Sequence, residues 1–251
     1  MERLKNWLRD NLRRICAVGV ALVCVTNIMR IPCEAKNVRV IYSSGSGNEL
    51  RVALTFDDGP HPYRTARILD ILKSESVKAT FFVVGENVKY YPDMFDRIIA
   101  EGHEIGNHTN HHTFLAGLDK DEVSRAIDGC DDEIYHHDEY STRLLRPPGG
   151  NYDTTVLQFC ALRDYTVVLW SIDTRDWAGT SAAEIEKNVL ENVKDGDIIL
   201  MHDIYNNTYE ATVILLARLN EMGFNVVTVS ELLGDDLCPG VKYTHGNKNG
   251  N

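Results

Sequence analysis

The chain has no excess of basic residues. Its 26 lysines and arginines are outnumbered by 37 aspartates and glutamates, for a formal net charge of −11. Phosphate binding needs a basic surface, so nucleic acid is excluded as a partner. The acidity suits a soluble, exported protein instead. Cysteine is scarce: six in all, with Cys16, Cys24 and Cys33 inside the first 35 residues. The other three, Cys130, Cys160 and Cys238, lack zinc-site spacing. They allow one disulfide at most, and three ordinary thiols satisfy the count equally well. Long apolar runs are also missing. The longest, Ile15 to Met29, falls short of the roughly 20 residues that span a bilayer. There is no internal repeat, coiled-coil pattern or second domain. What remains is 43% hydrophobic and 25% charged over 251 residues, which suits one α/β domain with a real core.

The amino-terminal part differs from the rest. Arg3, Lys5, Arg9, Arg13 and Arg14 precede the apolar run, the order of a secretory signal. Cys33 and Ala35 offer small residues for cleavage before Lys36, while Arg30 and Pro32 leave an uncleaved signal anchor as the alternative. Residues 1–35 are therefore expected to be a signal peptide or anchor, and 36–49 a linker. Residues 50–235 would form the folded domain and 236–251 a polar tail. Both readings of the leader place the domain outside the cell, secreted or attached to the membrane.

From Leu50 onward, strand-length apolar runs alternate with helix-period segments. The strands predicted are Arg51–Phe56, Ala79–Val84, Glu104–Gly106, Arg143–Leu145, Thr166–Ile172, Asp197–Met201 and Asn225–Thr228. The helices predicted are Tyr63–Ser74, Tyr91–Glu101, Lys120–Tyr135, Thr154–Leu162, Ala182–Val193 and Tyr209–Met222. This alternation implies βαβ units and a mainly parallel sheet, and about seven units suggest a barrel. Polar residues follow the strands: Asp57-Asp58, His108, Arg146, Asp173 and His202. Carboxyl ends of parallel barrel strands open on one face, so these clusters are expected to converge there.

Each cluster has its own chemistry. His108 and His112 are four apart, the spacing that stacks two side chains on one helical turn. With a carboxylate they make the His₂-carboxylate set of a catalytic metal, and His111 is an alternative ligand on spacing alone. Asp57 and Asp58 stand where a strand breaks at Gly59-Pro60. One can bind metal while the other accepts a proton from water; the plainer alternative is a turn that caps the next helix. His202 ends an apolar strand and suits a general acid kept protonated by Asp173 or Asp176. Arg146 can orient Asp57 by a bidentate pair. Leu200 and Trp177 are candidates for an apolar pocket around a methyl group.

These residues resemble the polysaccharide deacetylases of the NodB-homology group, carbohydrate esterase family 4, over about Leu50 to Leu233. Five motifs stand in family order: Thr55-Phe56-Asp57-Asp58-Gly59-Pro60, His108-Thr109-Asn110-His111-His112, Arg146-Pro147-Pro148-Gly149-Gly150-Asn151, Asp173-Thr174-Arg175-Asp176-Trp177 and Leu200-Met201-His202. The resemblance implies a distorted (β/α)7-type barrel. It also implies a divalent metal, zinc foremost with cobalt, manganese or nickel compatible, held by Asp58, His108 and His112. Asp57 would be the base, Arg146 its positioner and His202 the acid, tuned by Asp176 in preference to Asp173. Pro148 and Gly149 would border the oxyanion site, with the Gly149 N–H as donor, and Leu200 and Trp177 the substrate groove. Many members carry an aromatic residue where this chain has Gly149, so that part of the groove wall is absent from its usual position. The implied reaction is removal of acetyl groups from a polysaccharide, with peptidoglycan preferred over chitooligosaccharide and N-acetylglucosamine as the sugar. An O-acetyl esterase of the xylan type, an inactive carbohydrate-binding homologue and a metal phosphoesterase are the rivals. The chain is expected to act as a monomer.

Overall fold

β1 (Leu50–Asp57) is buried over its last six residues. Its alternation divides them between two cores. Val52, Leu54 and Phe56 pack with helix residues such as Ile68, Phe95 and Leu215, whereas Ala53 packs with Phe82, Leu144, Val168 and Ile198. Burial on both faces is what a parallel strand under a helical layer requires, and it explains the unbroken apolar run in the sequence.

The computed structural model describes residues 49–234 and 237–244. The signal or anchor, the linker up to residue 48 and the end of the tail lie outside the described residues. Among the described residues, no helix is long and apolar enough to cross a membrane.

Around β1 the sheet is parallel throughout. On one side lie β7 (Ile198–His202) and then β6 (Ile172–Asp173). On the other lie β2 (Thr80–Val83), β3 (Glu104–Asn107), β4 (Leu144–Leu145), β5 (Thr166–Val168) and β9 (Lys242–Tyr243). β8 (Phe224–Val227) pairs with the first half of β1. The helices are α1 (Arg64–Ser74), α2 (Gly85–Tyr90), α3 (Pro92–Ala100), α4 (Lys120–Asp138), α5 (Thr154–Leu162), α6 (Ala182–Asn192), α7 (Asn206–Glu221) and α8 (Val229–Leu233). The result is a curled half-barrel of parallel strands with alternating helices. Capping boxes at Asp119/Glu122, Ser181/Glu184 and Thr228/Glu231 start α4, α6 and α8, each satisfying amide donors that a helix start leaves without partners.

Three features differ from the sequence expectation. The single strand Thr166–Ile172 is two strands, because its partner changes midway: the Leu169 N–H donates to Tyr243 O at 2.7 Å and the Ser171 N–H to Ile198 O at 3.0 Å. This handover carries the chain from the β4 flank of the sheet to the β7 flank, where covalent continuity replaces a ladder. Residues 242–243, assigned to a polar tail, instead pair with β5 along its other edge, satisfying backbone groups that would be costly to leave unpaired. The short helices α2 and α8 were not anticipated, being too brief to show a period. Cys130 and Cys160 are buried thiols, as the simpler reading of the cysteines required; burial pushes the Cys160 thiol up to about 12.

Candidate active site

Strand register brings the polar clusters together. Asp57 stands opposite His202 across β1 and β7, and Asn107 opposite Leu145 across β3 and β4. His108 and Arg146 therefore leave their strands side by side, and the His108 Nδ1 lies 2.6 Å from the Arg146 carbonyl oxygen. That bond makes Nδ1 the donor and leaves the Nε2 lone pair to face the cleft.

The two histidines do not share a helical turn. The segment from His108 to Asp119 contains no helix, and Thr109 and His112 adopt positive φ of 67° and 53°. The loop is pinned by side chains: the Thr109 N–H donates to Asn107 Oδ1 at 2.8 Å, and the Thr113 N–H to Thr109 Oγ1 at 2.8 Å. Two left-handed residues fold the chain back so that both imidazoles meet Asp58. The structure thus brings His108 and His112 together through a loop and not through the helical turn that their spacing suggested. His111 points elsewhere, its Nδ1 lying 3.3 Å from Glu86 Oε2.

Asp58, His108 and His112 present ligand atoms within 4.8 Å of one another. The Asp58 Oδ1 is buried and has no hydrogen-bond partner. It faces the Nε2 atoms of His108 at 3.4 Å and His112 at 3.3 Å. Buried carboxylate oxygens are rarely left unpaired, and three converging donors of this type fit a divalent cation. Burial raises the Asp58 pKa, but the facing imidazoles, His108 foremost, outweigh it and hold the carboxyl below its ordinary value. Asp58 itself is at φ 74°. This left-handed residue turns its side chain away from the alternation of β1, so adjacent aspartates reach one cleft.

Asp57 is 3% exposed. The pair with Arg146 is single rather than bidentate, because Nε and Nη2 are taken by the Val168 and Leu169 carbonyls: Asp57 Oδ1 accepts from Arg146 Nη1 at 2.7 Å, while Oδ2 lies 3.7 Å from His108 Nε2. Arg146 is wholly buried and lies over the Phe82 ring, 4.0 Å from its centroid. It also donates to Thr55 Oγ1 and to the carbonyls of Val168 and Leu169. So many partners fix the guanidinium, and through it one oxygen of Asp57.

Across the cleft, the His202 Nδ1 lies 2.7 Å from Asp176 Oδ1. Asp176 is 1% exposed and accepts also from the His202 N–H, the Trp177 N–H and the Thr208 hydroxyl. Burial opposes charge on His202, but Asp176, Asp57 and Asp58 outweigh it and raise the imidazole to about 9. Asp173 is not the partner of His202; its Oδ1 accepts from the Arg175 N–H at 2.8 Å in a tight turn. Leu200 is buried two residues before His202 on β7, and Trp177 is 50% exposed beside Asp176. A cavity of about 480 Å³ adjoins the cluster, lined by Asp58, Pro60, His61, Arg64, Tyr91 and His112 among others. Neither Leu200 nor Trp177 is among its lining residues. Pro148 and Gly149 lie in a short 3₁₀ turn with Gly149 at φ 62°.

One residue escaped the sequence reading. Asp203 follows His202, is fully buried, accepts from the Thr65 hydroxyl at 2.5 Å and leaves its Oδ1 unpartnered. Its carboxylate lies against Gly59, where a Cβ would meet Oδ2 at 2.1 Å. Burial, together with Asp58 and Asp57, pushes Asp203 up to about 7. A carboxyl raised in the folded state costs stability as pH climbs from its unfolded value through the folded one. Asp203→Asn should therefore raise Tm by roughly 3 °C or more at pH 8 and change it little at pH 4. Equal Tm for both proteins at pH 8 would contradict this. The only sequence signal was an acid beside the strand-end histidine; the helix threonines that support the network, Thr65 and Thr208, carried none.

An arginine-held carboxylate, a carboxylate-held imidazole and a two-histidine, one-aspartate cluster able to hold a cation meet at the strand ends of the parallel half-barrel, the parts of a hydrolytic site. The comparisons name the kind. A family model described as polysaccharide deacetylase matches residues 44–168. A peptidoglycan-N-acetylglucosamine deacetylase of Bacillus cereus is 38% identical, over 74% of this chain and 89% of that protein. The solved peptidoglycan deacetylase PdaC of Bacillus subtilis is 38% identical with a TM-score of 0.70, over 74% of this chain and 90% of that one. A family 4 acetyl xylan esterase of Clostridium thermocellum, solved with a cobalt ion, is 32% identical with a TM-score of 0.71, over 77% of this chain and 98% of that one. The chain belongs to the polysaccharide deacetylase family. It spans less than two thirds of several curated relatives, 64% of one and 41% and 39% of others.

Proposed function

We propose that the protein removes N-acetyl groups from peptidoglycan, with N-acetylglucosamine residues as substrate and acetate as the released product. The observation that carries this reading is the Asp57 carboxylate, anchored to Arg146 by one oxygen beside the Asp58–His108–His112 cluster. Relatives with peptidoglycan in their names support the substrate. The basic and then apolar start of the sequence, read as an export signal or anchor, supports a place outside the cell, secreted or membrane-attached, where such a polymer is met.

A divalent ion, zinc by the preference of two imidazoles and one carboxylate, would be held by Asp58, His108 and His112 and would supply Lewis-acid polarisation of the acetyl carbonyl and of water. The remaining chemistry belongs to the chain. Asp57 takes the proton of the attacking water through Oδ2, since Arg146 occupies Oδ1. The Gly149 N–H helps to hold the oxyanion. His202, fixed through Nδ1 by Asp176, directs Nε2 at the departing sugar nitrogen and protonates it. Leu200 and Trp177 serve the groove rather than the cavity beside the cluster.

Acetate release from purified peptidoglycan, chitooligosaccharides and acetylxylan, each with and without a chelator, tests the reading. Peptidoglycan should give the highest rate, and chelation should cut it at least roughly 100-fold, with recovery on adding zinc. Release confined to acetylxylan would favour the O-acetyl esterase, and release indifferent to chelator would refute the role of the cluster.

A further inference from the structure

Phe114 lies two residues beyond His112. Its neighbour Leu115 is fully buried in the core beneath α4 and α5, while Phe114 itself is 56% exposed. An apolar ring left in solvent on a loop anchored by its neighbour invites a ligand. Two contacts hold that ring in place. It meets the His112 imidazole edge-on, with centroids 5.7 Å apart at 81°. Its Cε1 also lies 2.7 Å from where a Cβ on residue 149 would stand. The ring thus fills the space above Gly149 and reaches the second imidazole of the cluster. A side chain at 149 would force this ring to shift, and the φ of 62° at Gly149 independently disfavours any other residue.

We propose that Phe114 is the aromatic wall of the substrate cleft, stacking on a pyranose ring of the bound glycan and replacing, from the loop after His112, the wall that Gly149 lacks. The C–H face of a pyranose is apolar and slightly positive, and the face of a phenyl ring is slightly negative, so the two stack. The sugar identity rests on the deacetylase reading; the stacking itself requires only a pyranose. Phe114 and Gly149 then form a matched pair that sets glycan affinity without taking part in proton transfer.

The test measures binding apart from turnover, by calorimetry of N-acetylated chitotetraose with full-length Asp57→Asn protein. Adding Phe114→Ala should weaken binding about ten-fold. Phe114→Leu should recover little of that loss, and Phe114→Tyr most of it. In the otherwise wild-type chain, Phe114→Ala should raise KM by a similar factor with kcat nearly unchanged. Melting curves and metal content should match those of the parent, because the side chain is half in solvent. Binding of the leucine variant equal to that of the parent would overturn the wall, and so would absence of chitotetraose binding altogether. Binding that depends on Phe114, without acetate release from any glycan, would uphold the wall while defeating the deacetylase reading.

Discussion

Asp57→Asn is expected to lower kcat for acetate release roughly 10²- to 10⁴-fold, the usual worth of a positioned general base, while metal content stays near that of the parent. Asparagine keeps an oxygen for Arg146, so the buried guanidinium retains its partner and the fold its anchor. It offers no basic oxygen for the water proton. Asp58 is the member of the pair that faces both imidazoles, at 3.4 and 3.3 Å, so Asp58→Ala should instead lose metal and activity together. Measuring kcat beside metal stoichiometry for both variants separates the roles. Metal loss in Asp57→Asn, or full occupancy in Asp58→Ala, would reverse the assignment.

Asp176→Asn should shift the alkaline limb of the kcat profile to lower pH by about one unit or more. The acid must be protonated to serve the leaving group, so activity holds until pH approaches the value of about 9 to which His202 is raised. Burial alone would lower that imidazole, and the bond from Asp176 is the foremost influence working against it. Without the carboxylate, His202 loses its proton at lower pH and its ring is no longer held. At pH 8, kcat should fall roughly 10²- to 10⁴-fold, as for direct loss of the acid by His202→Ala. Stability should follow the same group. A raised imidazole pKa stabilises the fold fully below its ordinary value, and that gain is lost as pH rises through about 9. The Tm deficit of Asp176→Asn should therefore be largest near pH 6 and shrink above pH 9. An alkaline limb that stays in place would show that Asp176 does not tune His202.

Much of the architecture was legible in the chain because strand ends are where apolar patterning stops and chemistry begins. β1 reads as an apolar run ending in Asp57-Asp58, and β7 as one ending in His202; parallel register then leaves no other place for them than one rim. The division of Thr166–Ile172 was not legible, since periodicity records burial and not which neighbour a strand pairs with. Lys242–Tyr243 looked like tail for the same reason: a two-residue strand has no pattern, only a partner. Within the site, the sequence could offer both Asp173 and Asp176 to His202. The turn at Arg175, itself at φ 55°, decides between them by sending one carboxylate under the imidazole and the other back to its own backbone.

Residue types and their spacing by themselves determined the class of fold, the set of ionisable groups at its open face and the family to which the chain belongs. Tertiary structure alone decided how those groups meet. It formed the histidine pair through a left-handed loop rather than a helix, buried Asp203 against Gly59, and laid the ring of Phe114 over Gly149. The physical reason is common to all three. Backbone handedness and the space a missing side chain leaves depend on what packs opposite, and contacts between distant segments have no local signature.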